Sequence, residues 1–337
     1  MIDKYDLFYY DNCKNINTLK DITDTYDLFI SAYNKETMVL DVYKNIIANK
    51  KIWLIFPDYE EINLDEIEAE YYYNEHLNVE MSDLEMEYIN SFIDYINLID
   101  FNTKNICIDI TGFVKPYMIY LLSILQDLGF SNIDIIYSEP NSYENKEETE
   151  FSKKEIIDTR SVNGFDIRPK EGLNDLFIIN AGYDSKLTIE MASFKKEVKK
   201  REILLGFPSL QPIMYQENIL NLEKASDELS LSENNFKPLL APANNPFETA
   251  KVINDFVREY IKIHDDVKII YLAPLATKAQ TLGMILFYLF EKQNLETNNI
   301  TIKFVYPFTK SYSSSAGENL FRINKYEIDF NLVSNLS

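Results

Sequence analysis

NICIDITGFVKPYMIYLLSIL, residues 105–125, holds a complete strand–turn–helix unit. Ile106, Cys107, Ile108 and Ile110 form a short, nearly continuous apolar run, as expected of a strand covered on both faces. Asp109, Thr111 and Gly112 then mark a turn. Lys115 opens a helix whose Met118, Leu121, Leu122 and Leu125 recur at helical spacing and which Gly129 closes.

The same plan repeats along the chain. Strands are expected at 26–33, 51–56, 105–111, 133–138, 175–181, 201–207, 268–274 and 301–307, mostly alternating with amphipathic helices. Ser82 with Glu85 reads as a capping box before the Tyr88, Ile89, Phe92, Ile93, Ile96 stripe. Asn245 caps another helix, with Pro246 in its first turn. Strand, helix and strand in repetition mean a three-layer, Rossmann-like α/β fold with a mainly parallel sheet, organised as two related units. The expected division is a first unit over 1–140 with an acidic insertion at 58–80, a polar connection over 141–172, a second unit over 173–309, and a C-terminal loop and edge strand over 310–337. IDITGFVKPYMIYLLSIL (108–125) and LAPLATKAQTLGMILFYL (272–289) share one layout of strand, small-residue turn, Lys and apolar helix. That echo reflects either two related halves or the common look of any two such units.

Composition narrows the function classes. Hydrophobic residues make up 46%, enough for a folded core, and the 24 Tyr and 21 Phe are expected mostly at core or boundary positions. Acids outnumber bases 54 to 33, for a net charge of −21, which argues against direct nucleic-acid binding. Residues 58–87 are strongly acidic and contain no Lys or Arg, so they read as a solvated face or as a docking surface for a basic protein partner. Cys13 and Cys107 are too few for a disulfide framework, and the N-terminal residues lack signal-peptide character. No apolar run approaches a membrane span. A cytoplasmic protein with no membrane partner is expected. His76 and His264 lie away from the expected site, which disfavours Ser-His-Asp or Cys-His catalysis, and Cys/His zinc ligands are lacking.

Polar, Gly, Pro and Asn residues gather where strands finish: SAYN (31–34), FPDY (56–59), DITGFVK (109–115), SEPNSY (138–143), NAGYDS (180–185), GFPSLQP (206–212), LAPLATK (272–278) and YPFTK (306–310). In a parallel sheet those ends form one edge, where ligands bind. Gly112, Gly182 and Gly206, three of only 8 glycines, fall there, which implies close backbone approach or positive φ. Thr111 and Gly112 would offer N–H groups at a helix start, with Lys115 adding charge, and Thr277 and Lys278 repeat the arrangement. The ligand expected is small and phosphate-bearing, a nucleotide. Asp109 would accept a ribose hydroxyl or cap the helix. Asp184, Gln211 and Tyr215 are further ligand-binding candidates, with Asp58, Tyr59 and Gln216 behind them; Gln side chains read a base edge or sugar, and Tyr215 stacks on it. The chain has no Walker A or GxGxxG pattern, and no metal or resident cofactor is expected.

DITGFVK (109–115) resembles the strand-end Thr-Gly-containing loop of CARF and SAVED domains, Rossmann-like sensors of cyclic nucleotide messengers in prokaryotic immunity. Phe113 and Val114 stand where a further Gly and a hydroxyl residue are more usual. YDLFISAY (26–33) resembles the first strand of a TIR domain. These resemblances imply a nucleotide sensor or regulatory component in phage defence. The alternatives are a nucleotide or nucleoside hydrolase, or N-glycosidase, using Glu139 with Asp109, and an acidic scaffold subunit docking through 58–87. Glu139, at an expected strand end before Pro140 and near Tyr143, is the acid–base candidate.

Overall fold

The computed structural model describes residues 3–59, 62, 67, 71–73, 84–98, 105–143, 156–165, 170–224, 237–310, 312 and 317–334. Most of the acidic run 58–87, including Ser82 and His76, and parts of 141–172 lie outside them. The fold is α/β, with one mostly parallel sheet in each of two compact units, residues 1–154 with 310–337 and residues 155–309.

In the first unit, strands numbered along the chain are β1 (Tyr10–Cys13), β2 (Tyr26–Ala32), β3 (Ala48–Leu54), β4 (Tyr71–Tyr73), β5 (Ile106–Asp109), β6 (Asn132–Tyr143) and β13 (Gly317–Asp329). They lie in the order β1-β13-β6-β5-β2-β3-β4, and only β13 runs against its neighbours. β13 is not the edge that its alternating pattern suggested, because β1 pairs with its outer side. β2 is buried at six of its seven positions and β5 at all four, which is why their sequences read as apolar runs. The helices are α1 (Thr37–Asn45), α2 (Leu84–Leu98), α3 (Lys115–Asp127) and α8 (Phe330–Ser334). Val39 and Val42 of α1 pack with Phe29, Cys107, Ile136 and Ile323 on one face. An aromatic layer gathers Phe56, Tyr73, Tyr88, Phe113 and Tyr117, with Phe56 stacked on Tyr117 at 4.3 Å. The Tyr88 hydroxyl is buried and useful there: it accepts from the Ile55 N–H, and its single proton lies within reach of both the Ile55 and the Tyr73 carbonyls.

The second unit holds β7 (Ile156–Ser161), β8 (Leu176–Asn180), β9 (Lys200–Gly206), β10 (Leu239–Ala241), β11 (Ile269–Pro274) and β12 (Thr301–Thr309) in the order β10-β9-β8-β11-β12-β7, with β7 antiparallel. Its helices are α4 (Ser185–Phe194), α5 (Met214–Lys224), α6 (Pro246–Ile263) and α7 (Lys278–Thr297). Asn245 caps α6 by accepting from the Phe247 and Glu248 N–H groups. Gly283 lets α6 and α7 touch: a β-carbon there would stand 2.5 Å from that of Thr249.

Each unit follows one winding. Its first parallel strand (β2, β8) lies centrally, the next two (β3 and β4, β9 and β10) go to one side, and the fourth and fifth (β5 and β6, β11 and β12) go to the other. The strand order therefore reverses between β2 and β5, and between β8 and β11, which is where open α/β sheets form a crevice. DITGFVK and LAPLATK both run from the end of the fourth parallel strand of their unit into the next helix, so the sequence echo falls at equivalent turns. The strand-end clusters are shared between two sheets, with Lys115 on the first and Lys278 on the second.

Candidate functional site

At the first reversal point, Asp109 is buried and its carboxylate is occupied by its own neighbours. It accepts from Ser31 Oγ at 3.1 Å, from the Thr111 N–H at 2.9 Å and from Thr111 Oγ1 at 2.5 Å. Thr111 Oγ1 in turn accepts the Ser138 N–H at 2.9 Å, tying β5 to β6. The Thr111 N–H thus points to a carboxylate inside the protein, not outward to an anion. Asp109 does not cap α3 either, since the N-cap position is Val114. Gly112 is indeed a point of close approach, but to protein: a β-carbon there would lie 2.1 Å from the Ala32 carbonyl oxygen. The segment after β3 covers the turn. Tyr59 donates to the Gly112 carbonyl at 2.5 Å, Tyr117 donates to Asp58 at 2.6 Å, and Phe113 packs edge-on against Phe56. Burial, then the Asp58 carboxylate, pushes the Tyr117 phenol well above its ordinary range. Lys115, half-buried, is the first residue of α3.

Glu139 is not in a strand-end turn. It lies inside β6, which continues to Tyr143, and its buried carboxylate accepts from Arg322 at 2.9 Å and from Asn324 at 2.6 Å, both on β13. Pro140 fails to end the strand because it faces Leu320, where β13 shifts register before Arg322 and no ladder N–H is required.

At the second reversal point four loops interlock. The Ala243 N–H donates to the Pro208 carbonyl at 2.9 Å, and Thr277 Oγ1 donates to the Ala243 carbonyl at 2.5 Å. Asn221 donates to the Tyr183 carbonyl at 2.9 Å. A β-carbon on Gly182 would lie 2.4 Å from the Leu275 carbonyl oxygen. Gly112 and Gly182 thus serve one purpose from opposite sides of equivalent reversal points. Thr277 is the N-cap of α7, accepting from the Gln280 N–H at 3.1 Å, and Lys278 is the first helical residue, half-buried at the rim. Asp184 caps α4 through the Lys186 and Leu187 N–H groups. Gln211 lies in the turn before α5, where its carbonyl accepts from Ser209, and the Tyr215 ring packs 4.9 Å from Phe207.

The sequence did not single out Asn180 or Gln280, the polar pair beneath this rim. Both are fully buried, and both leave the side-chain oxygen without a hydrogen-bond partner. An Asn ending a strand and a Gln in a first helical turn carry no local mark of burial. Ser31, Arg322 and Asn324 were missed for the same reason, since their partners are distant in sequence.

No protein-family model matches the chain, and no curated protein matches it.

Proposed function

We propose that the chain binds a small phosphate-bearing ligand, a nucleotide, at the carboxyl edge of the second unit, as a sensor or regulatory component whose bound state biases contact with a protein partner. The observation that carries this reading is the N-terminus of α7. A 20-residue helix starts at the reversal of strand order, with Thr277 fixing its first turn and Lys278 at the rim. Helix dipole and lysine favour an anion together. The first unit is the weaker candidate, because Asp109, Thr111 and Gly112 are spent on internal contacts. The resemblance of DITGFVK and YDLFISAY to prokaryotic immune domains supports a role in phage defence.

Thermal shift of the full chain against a broad nucleotide panel tests the reading. A ligand at 100 times its Kd adds about 2.7 kcal/mol of stability. Lys278→Ala should weaken the shift and Lys115→Ala should leave it. Absence of any shift, or equal loss in both variants, rejects the proposal.

A further inference from the structure

The rim of the second unit lies over two unmet acceptors. Asn180 ends β8 and spends its amide N–H on the Leu204 carbonyl at 3.3 Å, leaving Oδ1 unpaired. Gln280, in the first turn of α7, reaches over the ends of β9 and β10: its Nε2 donates to the Ala241 carbonyl at 3.4 Å, and Oε1 is unpaired. Oε1 lies 3.3 Å from where a β-carbon on Gly206 would stand, so the glycine makes room for it. Asn180 pairs across the sheet with Leu204, two residues before Gly206. Residues two apart on a strand share a face and are about 7 Å apart. Both oxygens therefore lie on one face, under the same loops, at the reversal point.

Native folds rarely leave a buried acceptor unpaired, so two at one place ask for donors. We infer that the ligand of this site is a nucleotide whose base carries an exocyclic amine, with that amine donating to Asn180 Oδ1 and Gln280 Oε1 while the phosphate lies toward Lys278. The inference rests on the nucleotide reading given above and adds the class of base. Both oxygens are sealed from solvent in this structure, so binding includes a movement of the loops that cover them.

Titration of the full chain with two matched pairs tests this. One pair is adenosine monophosphate against purine riboside monophosphate, and the other is guanosine monophosphate against inosine monophosphate. In each, the partners differ only in the amine. In at least one pair the amine-bearing member should bind about tenfold tighter or more, because its rival leaves the acceptors unmet. Gln280→Leu should shrink that ratio without abolishing binding of the weaker member. If the variant does not fold, the ratio on the unaltered chain decides alone. Measurable but equal binding within both pairs overturns the inference and leaves the nucleotide reading standing. Binding by none of the four overturns the inference, and the broad nucleotide panel given above decides the nucleotide reading separately.

Discussion

Gly112 packs against Ala32 so closely that the carbonyl oxygen of Ala32 occupies the space of a side chain. We expect Gly112→Ala to destabilise the protein by about 3 kcal/mol or more, at the upper end for overpacking, because the obstacle is backbone and cannot rotate away. Gly129→Ala is the control. It has φ of +86° but nothing within 4 Å, so only backbone strain of about 1 kcal/mol is expected. Urea midpoints of the two variants check the contrast.

Glu139 and Arg322 form a pair in which the carboxylate is buried and the guanidinium side chain is 25% exposed. Removing Glu139 alone leaves a charge that water reaches in part, so Glu139→Ala should cost about 2–3 kcal/mol, below the range for a fully buried pair. Glu139→Leu with Arg322→Met should recover much of that loss. A double-mutant cycle by chemical denaturation gives the coupling, and a coupling near zero would refute a structural role for the pair.

Asp134 sets a pH signature. It accepts from Tyr26 at 2.7 Å and from Lys325 at 3.0 Å, and Lys325 also meets Glu327 at 2.9 Å and Asp24 at 3.7 Å. Burial raises the Asp134 carboxyl above its ordinary 3.8, against the opposing pull of Tyr26 and Lys325. The folded state therefore holds its proton more tightly than the unfolded chain. Stability from this group falls as pH rises from 3.8 through the folded value. Relative to Asp134→Asn, the unaltered protein should lose ground across that window and run parallel above it. Lys325 behaves oppositely: burial works against its charge, but Glu327 and Asp134 outweigh burial and raise it above 10.5. Its contribution should persist at neutral pH and vanish only in strong alkali, so Lys325→Met should be destabilised at pH 7. Denaturation curves at several pH values measure both.

Asp109→Ala leaves a buried N–H and two hydroxyls short of an acceptor and should cost about 3 kcal/mol; Asp109→Asn, which keeps one oxygen, should cost roughly half. Nucleotide affinity per folded molecule should stay unchanged in Asp109→Asn. Calorimetric titration of that variant is the check.

The central strands were legible because burial on both faces writes itself into composition. β2, β5, β8 and β11 all fall inside the stretches expected. β1, β4, β7 and β10 were not expected. Each is an edge strand, as in YDNC or IIDTRS, and owes its conformation to the one strand beside it. Gly112, Gly182 and Gly206 are points of close approach, yet what approaches Gly112 and Gly182 is backbone of the same unit, and at Gly206 it is Ala243 and Gln280. Local sequence signals that room is needed without saying for what. Glu139 shows the same limit: Glu-Pro looks like a stop until the irregular register of β13 supplies a place for the proline.

The return of β13 to β6 has a consequence for biosynthesis. The ribosome emits all of residues 155–309, a whole sheet with its helices, between two segments that belong side by side. Until residues 317–329 emerge, β6 has a bare flank, β1 has nothing to pair with, and Glu139 lacks its counterion. The nascent first unit must wait open while the second is made, which places its greatest vulnerability to aggregation between the synthesis of residue 154 and that of β13.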